Sequence, residues 1–404
     1  MLAASRSLLL AVLLSLVACA PGQAPAARAP AAPAAPPAAS APPAAPAAPA
    51  AQPVVATDAK PAWQAEWDRI VAAARQEGSV VVNGPAGDTI RRAMVDGFQK
   101  AHPGITVEWT GGAAPEMVAK MEAERRAGLY AVDVLIAGTS VQLAQVKPLG
   151  AWEPLRPALL LPEVTDPASW LDGRLEFADN EGENDLVFIT VPMGVIAYNP
   201  SMVKPEEIDE LPKLLDPKWR GKIVVSDPVV GGSGQALFRF FWAAMGPDKA
   251  ADYIRAIKAQ AGTVDRDRRR MVEWIARGRY PILLNPDGTI LPQLKQEGLI
   301  VETLPEFKDV GTYVSASFGS VSLINHAPSP NAAKVFVNWL LTKDGQTAYS
   351  TATRQASRRL DVPRDHLPPD QIIRPDGKYW ASYKETEAVA PPELVNLLNE
   401  VFAR

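Results

Sequence analysis

Strand and helix signals alternate along residues 79–141, with a repeat of about 25 residues. Ser79–Val82, Ile105–Trp109 and Val132–Ile136 are short apolar runs rich in β-branched residues. Apolar residues in the segments between them recur at helical spacing. This alternation predicts an α/β fold in which a parallel sheet has helices on both faces. Ligands of such sheets bind outside the carboxyl ends of the strands.

Three loops follow these strand ends, at residues 83–89, 110–114 and 137–141, and are expected to face one crevice. Asp88 or Thr89 is also predicted to cap the helix that follows. Trp109 either stacks on a ring or sugar of the ligand or belongs to the core. The loop residues that we predict to contact ligand are Asn83, Asp88, Thr89, Gly111, Gly112, Gly138, Thr139 and Ser140.

A second strand signal, Lys222–Val225, is followed by a glycine-rich loop, Gly231–Gly234, that leads into an apolar helix. Such a loop leaves backbone N–H groups free at a helix N-terminus, where the helix dipole favours an anion or a carbonyl oxygen. An ordinary strand-to-helix turn is the alternative. No Gly-Lys-Ser or Gly-Lys-Thr follows, which excludes a P-loop. Gly232, Ser233 and Gly234 are therefore candidate ligand-binding residues.

Residues 216–223 read Asp-Pro-x-Trp-x-Gly-x-Ile and precede this strand, loop and helix. This order resembles the extracellular solute-binding proteins of bacterial ABC importers, especially the branch that includes ferric-ion-binding proteins. Residues 328–346 and the pair Tyr198-Asn199 carry the same resemblance, which runs from about Gln76 to Pro363. It implies a two-lobed periplasmic-binding-protein-like (type II) fold. Each lobe would be a mostly parallel sheet flanked by helices, with the ligand cleft between the lobes.

The resemblance also implies two crossings between the lobes, at Val187–Ile196 and at Leu304-Pro305. Pro192-Met193-Gly194 suits a hinge, although an edge strand with a bulge is the alternative. Met193 is accordingly a candidate ligand contact. The first lobe is predicted to comprise residues 61–190 plus 306–358, and the second residues 191–305 plus 359–404.

The first 60 residues resemble the leader of a bacterial lipoprotein. Residues 1–18 have the short apolar run of a signal peptide, and Leu16-Val17-Ala18-Cys19 resembles a lipobox with Cys19 as the lipidated residue. An ordinary signal peptide that contains a cysteine is the alternative. Residues 19–60 are rich in alanine and proline, which predicts a tether that reaches on the order of 100 Å. The protein is therefore expected to be extracytoplasmic and lipid-anchored to the bacterial cell membrane.

Several classes of chemistry are disfavoured. A formal net charge of −4 argues against nucleic acid as a partner. The single cysteine and the three scattered histidines show no metal-ligand spacing. Where the ferric-binding relatives carry adjacent tyrosines, this chain has Asn285-Pro286-Asp287, so we do not expect naked ferric ion as the ligand. Asn285 and Asp287 remain candidate ligand-binding residues, and no catalytic residue, metal or cofactor is predicted.

The resemblance and the polar strand ends together predict a monomeric substrate-binding lipoprotein. It would capture a small polar or anionic solute, or a metal chelate, by hinge closure and deliver it to an ABC permease. A lipid-anchored sensory protein is one alternative. An enzyme built on the same lobes is another, and it would require titratable residues in the cleft, for which only Asp88 and Asp287 are candidates.

Overall fold

The computed structural model describes residues 60–229, 232–286, 291, 294, 297–374 and 376–403. The predicted signal peptide, Cys19, nearly all of the tether and Asp287 lie outside these residues. The described α-helices are α1 (Ala62–Glu77), α2 (Asp88–Ala101), α3 (Ala114–Arg126), α4 (Thr139–Val141), α5 (Pro162–Thr165), α6 (Ala236–Met245), α7 (Pro247–Gln260), α8 (Arg268–Ala276), α9 (Pro330–Leu341), α10 (Lys343–Thr353), α11 (Glu385–Ala388) and α12 (Pro392–Phe402). Within the described ranges, no helix has the length and apolar character needed to cross a membrane.

The strands form three sheets. They are β1 (Ser79–Gly84), β2 (Thr106–Gly111), β3 (Val134–Ala137), β4 (Trp152–Glu153), β5 (Glu176–Phe177), β6 (Leu186–Val187), β7 (Val191–Pro192), β8 (Ile196–Tyr198), β9 (Ile223–Ser226), β10 (Ala261–Asp265), β11 (Ile282–Leu284), β12 (Glu302–Leu304), β13 (Thr312–Ser315), β14 (Ser320–Ile324) and β15 (Tyr379–Ala381).

The first lobe is built on a seven-stranded sheet with the order β2-β1-β3-β14-β6-β5, in which β4 also pairs with β14. Strand β1 is parallel to β2 and to β3, which confirms the predicted parallel arrangement of these strands. Strand β14 runs antiparallel to both β3 and β6. The sheet as a whole is therefore mixed rather than mostly parallel, because later parts of the chain return to it in the opposite direction.

The second lobe is built on a five-stranded sheet with the order β10-β9-β11-β8-β12. Strand β9 is parallel to β10 and β11, whereas β8 is antiparallel to β11 and β12. A small sheet, β15-β13-β7, contains the crossing strand β7. The five-stranded sheet is also mixed, because β8, which follows the crossing strand β7, runs against the direction of the other four strands.

Each large sheet has its own hydrophobic core. In the first lobe, Phe98 of α2 packs against Phe336 and Trp339 of α9, with ring centroids 5.2 and 5.5 Å apart. In the second lobe, Phe238 of α6 packs against Phe402 of α12 at 5.4 Å. Burial of aromatic side chains of this size supplies much of the stability of such a core. The C-terminal helix is therefore part of the second lobe's core.

Helix ends follow the expected chemistry, with one correction. Gly78 ends α1 with a left-handed φ of 78° and donates its N–H to the carbonyl of Ala74. The carboxylate of Glu77 accepts hydrogen bonds from the N–H groups at the start of α9. The N-cap position of α2 is Gly87, so Asp88 is the first helical residue and neither Asp88 nor Thr89 is the cap. The reason is that the chain turns one residue earlier than predicted, at a glycine whose φ is 127°.

Two buried aspartates in the turn between β5 and β6, Asp179 and Asp185, have pKa values shifted in opposite directions. Burial raises the pKa of the Asp185 carboxyl well above its ordinary value, and the charge of Asp179 acts in the same direction. Burial also raises the pKa of Asp179, but hydrogen bonds from the N–H groups of Glu183, Asn184 and Asp185 outweigh it. The pKa of Asp179 therefore lies below its ordinary value.

Asp185→Asn and Asp179→Asn are therefore expected to change stability in opposite directions at neutral pH. Because the pKa of Asp185 is raised, its carboxyl contributes less and less to the free energy of unfolding as pH rises above about 4. Asparagine cannot ionise, so Asp185→Asn should increase the melting temperature by a few degrees at pH 7. The depressed pKa of Asp179 gives stability that is present at pH 7 and lost in acid, so its asparagine should lower the melting temperature. Thermal unfolding of both variants between pH 4 and pH 8 tests this, and a destabilised Asp185→Asn at pH 7 would contradict it.

Candidate functional site

The ends of β1 and β2 form a tightly packed part of the first lobe. Asn83 is 8% exposed and pairs in register with Thr110 of β2 and Leu135 of β3. The indole of Trp109 covers Gly84, where a β-carbon would lie 2.4 Å from the ring. Trp109 also packs against the first lobe's core, which favours the second of its two predicted roles, a core residue, over stacking on a ligand.

The end of β3 is equally constrained. A β-carbon at Gly138 would lie 2.7 Å from the carbonyl oxygen of Ser317, so only glycine fits there without a shift. Thr139 is buried, whereas Ser140 is half-buried in the short helix α4 that follows. This loop therefore offers little more than the Ser140 side chain and its backbone to a ligand.

In the second lobe, Asn285 links three elements. Its side chain donates to the carbonyl of Gly234 at 3.0 Å and accepts from the hydroxyl of Tyr313 at 3.3 Å. Its backbone has a left-handed φ of 57°, a conformation that asparagine tolerates better than most residues. A β-carbon at Gly234 would lie 2.8 Å from the carbonyl of Asp227. The predicted neighbours Gly234 and Asn285 are thus in direct contact.

The hinge candidate Met193 connects the two lobes. Its side chain is half-buried and packs against the hydrophobic cores of both. Its N–H donates to the carbonyl of Tyr313 at 2.9 Å, and its carbonyl accepts from the Thr312 hydroxyl at 2.6 Å. Tyr313 therefore joins Met193 to Asn285, so that the crossing strand and the second lobe's strand end belong to one hydrogen-bonded group.

A C-terminal segment, residues 379–391, lies against both lobes. Its helix α11 packs on α4 of the first lobe. Glu385 forms an ion pair with Lys147 at 2.6 Å and accepts from the N–H of Asn180 at 2.7 Å. Lys384 pairs with the buried carboxylate of Glu176. The chain then enters α12, which packs in the core of the second lobe.

Some predicted residues lie elsewhere or outside the described part. Asp88 is exposed on α2 and pairs with Arg91 at 3.4 Å. Thr89 lines a separate groove between α2 and α10 that also contains Trp339. The backbone of Gly232–Gln235 is a short 3-10 turn, but the Ser233 side chain, like Asp287 and Cys19, lies outside the described atoms.

Two residues with structural roles near the site are absent from the sequence-based candidates. Tyr313 is 2% exposed and bonds to Asn285, but nothing in its local sequence distinguishes it from another strand tyrosine. Arg239 is the single charged residue of the otherwise apolar helix α6, and it is 6% exposed. That isolated charge in an apolar run was a signal available in the sequence.

Among the described residues, no three His, Cys, Asp or Glu side chains are grouped in a way that could hold a metal ion. The candidate ligand groups on the described strand ends include amides, hydroxyls and backbone N–H and C=O groups. Such groups bind a ligand through hydrogen bonds.

The fold and this arrangement define a two-lobed α/β receptor of the periplasmic-binding-protein class, with candidate ligand groups on strand ends and a crossing strand packed on both lobes. The family model for bacterial extracellular solute-binding proteins matches residues 93–372, and the chain belongs to this family. It is accordingly a solute-binding protein of the kind that serves ABC importers, and its relatives are transport proteins rather than enzymes.

Solved structures show the same fold at low sequence identity. Apo FutA2 from Synechocystis has a TM-score of 0.61 at 17% identity, with 81% of this chain and 99% of that chain covered. AfuA from Actinobacillus pleuropneumoniae, with fructose-6-phosphate bound, has a TM-score of 0.59 at 19% identity, with 80% and 98% covered. Iron uptake protein A1 of Synechocystis is 23% identical over 255 residues, which are 61% of this chain and 66% of that protein.

Proposed function

We propose that this protein is a monomeric, lipid-anchored receptor that captures a small polar or anionic solute between its lobes and delivers it to an ABC permease. The observation that supports this most is the position of Met193, packed on both cores and hydrogen-bonded to Tyr313, which is bonded to Asn285. A movement of Asn285 at its strand end can therefore be transmitted through Tyr313 to Met193 beside the crossing strand. Ligand that touches both lobes favours the closed arrangement by its differential affinity.

The ligand contacts that we propose are those of the strand ends: Asn83, Gly111, Gly112, Gly138, Thr139 and Ser140 in the first lobe, and Met193, Gly232, Ser233, Gly234, Asn285 and Asp287 at the hinge and in the second. Asp88 and Thr89 are less favoured, because their side chains lie on the exposed part of α2. The lobe boundaries also remain a proposal, namely 61–190 plus 306–358 and 191–305 plus 359–404. The contacts of residues 384 and 385 favour placing that part of the tail with the first lobe.

The nature of the solute is proposed from the groups present. AfuA has been solved with fructose-6-phosphate bound, and the similar FutA of Trichodesmium with iron and citrate, so likeness to them does not choose between a phosphorylated sugar and a metal chelate. The position at which ferric-binding relatives carry adjacent tyrosines begins with Asn285, whose amide is bonded to Gly234 and Tyr313. This favours an oxygen-rich organic solute or anion over naked ferric ion. Native mass spectrometry of freshly purified protein would identify a retained solute.

Ser233→Leu is expected to weaken binding of that solute more than tenfold, because a bulky side chain at the glycine-rich turn would block the free N–H groups. The fold should remain intact, since a loop residue contributes little to the core. Calorimetric titration with the retained solute measures the effect, and small-angle scattering reports compaction upon binding. Ser201→Leu is the matched control, because Ser201 is an exposed serine beyond the strand ends. Equal affinity of both variants, or no compaction, would refute the proposed cleft.

Cys19→Ser is expected to release the protein from the membrane without unfolding it. The reason is that Cys19 follows Leu-Val-Ala and precedes an alanine- and proline-rich tether rather than a packed element. Membrane fractionation, together with mass spectrometry of the wild-type N-terminus, provides the test. A wild-type protein that is fully soluble and carries no acyl chain would rule out the anchor.

A further inference from the structure

An open cavity of about 640 Å³ lies between α6 and the C-terminal segment. Its wall includes Arg239 and Trp242 of α6, together with Trp380, Glu385, Glu387 and Val389 of the segment. The volume is within the range of small-molecule sites, about 300–1,000 Å³. None of these residues belongs to the strand-end loops of the proposed cleft.

Arg239 places a cation in this cavity wall. Its side chain is 6% exposed, and its Nη1 donates to the backbone carbonyl of Glu387. Among the described residues, no carboxylate lies within ion-pair distance of it, and no further hydrogen bond of its guanidinium is seen. Burial lowers the pKa of Arg239, but an arginine remains charged near neutral pH. A buried cation without an ion-pair partner is costly, and a ligand anion would offset that cost.

The two acidic residues of the wall limit how much negative charge the ligand carries. Glu385 is already paired with Lys147 and with the N–H of Asn180, so its charge is compensated. Glu387 is close enough to act on Arg239 through its charge, but it forms no ion pair among the described residues. Glu387 repels a dianion about twice as strongly as a monoanion, and one guanidinium neutralises only a single negative charge, so a monoanion is favoured.

The rest of the wall favours a flat or apolar ligand body. Trp242 and Trp380 are both partly buried and pack against the second lobe's core, so their positions are fixed. Val389 is half exposed. Indole faces stack well on aromatic rings, and a carboxylate accepts two parallel N–H bonds from one guanidinium.

We propose that this cavity is a second binding site, for a small organic monocarboxylate with an aromatic or bulky apolar body. Its carboxylate would accept from the free N–H groups of Arg239, and its body would lie between Trp242 and Trp380. This goes beyond the solute cleft of the proposed function, and the two sites are testable separately.

The probe is phenylacetate, titrated by calorimetry and by quenching of tryptophan fluorescence. Wild-type protein is expected to bind phenylacetate saturably, and to bind phenyl phosphate and benzylamine more weakly. Arg239→Met should weaken phenylacetate binding by about ten- to a hundredfold, the loss expected for a charge-assisted hydrogen-bonded pair. The affinity of Arg239→Lys for phenylacetate should lie between those of the wild type and Arg239→Met. Arg255→Met, which removes an exposed arginine from the neighbouring helix α7, should bind like the wild type.

Two further variants keep the test decisive if Arg239→Met alters the fold. Ala243→Leu narrows the cavity from the exposed side of α6 without touching the guanidinium, and it should also weaken binding at least tenfold. Ser233→Leu separates the two proposals, since phenylacetate binding should not depend on the strand-end cleft. The proposal is overturned if wild-type protein shows no binding up to roughly ten millimolar phenylacetate. It is equally overturned if Arg239→Met and Ala243→Leu bind normally, if phenyl phosphate binds better, or if Ser233→Leu abolishes binding.

Discussion

Replacement of Asn285 by alanine is expected to lower the free energy of unfolding by about 2–4 kcal/mol. The variant loses the part-buried hydrogen bond to the Gly234 carbonyl and the buried one from the Tyr313 hydroxyl. It also forces alanine into a left-handed conformation with a φ of 57°. Urea unfolding of the purified protein provides the measurement.

Two further substitutions at Asn285 separate these causes. Asn285→Gly removes the side-chain hydrogen bonds but relieves the backbone strain, so it should lose about half as much stability as the alanine. Asn285→Asp keeps the acceptor for Tyr313 and tolerates the backbone conformation, but it cannot donate to Gly234. If glycine and alanine were equally damaging, the backbone conformation would contribute nothing. If all three variants matched the wild type, the link between the glycine turn and Tyr313 would have no energetic role.

Arg359→Met is expected to cost about 3–5 kcal/mol of stability, because it removes a buried guanidinium and leaves two backbone carbonyls without their charged donor. Arg359 is 2% exposed and forms two hydrogen bonds with the carboxylate of Asp361, at 2.9 and 3.0 Å. Its Nη1 also donates to the carbonyl of Glu163 and to that of Leu341, the last residue of α9. Methionine fills most of the volume but leaves these acceptors without their donor.

Chemical unfolding measures this loss, with Arg359→Lys and Arg277→Met as comparisons. Lysine keeps the charge but cannot serve several acceptors with a planar fork, so its loss should be intermediate. Arg277 pairs with Glu273 on the surface, and its replacement should change stability by less than about 1 kcal/mol. A loss at Arg359 no larger than that at Arg277 would show that the buried network is dispensable.

Local patterns in the sequence were sufficient for the first-lobe strands. β-Branched runs separated by helical spacing predict β1, β2 and β3 and their parallel order, because each signal is contained within a few residues. The bond between Asn285 and Tyr313 joins residues 28 positions apart, and the pair Lys147–Glu385 joins residues 238 positions apart. No periodicity encodes such pairings, since they depend on how complete elements pack.

The candidate site residues also differ in how well the sequence predicted their positions. Gly234 and Asn285 were predicted from loops at strand ends, and the structure places them in contact. Thr89 was predicted from the same rule, but its position within α2 directs it to the groove beside Trp339. The strand-end rule locates a loop, whereas the direction of each side chain depends on where the helix begins. With Gly87 rather than Asp88 as the N-cap, Asp88 and Thr89 are both helical residues, and successive helical positions point about 100° apart around the axis.

The C-terminal segment restricts how far the lobes can separate. Ala388 lies in a cluster with Ala178 and Val187 of the first lobe, and Pro392 begins the helix that is buried in the second. The chain between them spans four peptide units, which reach at most about 14 Å when fully extended. As long as Ala388 stays packed on the first lobe and Pro392 on the second, these two residues cannot move further apart than the extended length of the chain between them. The empty receptor then samples a narrower range of openings, and capture of solute requires less loss of orientational freedom.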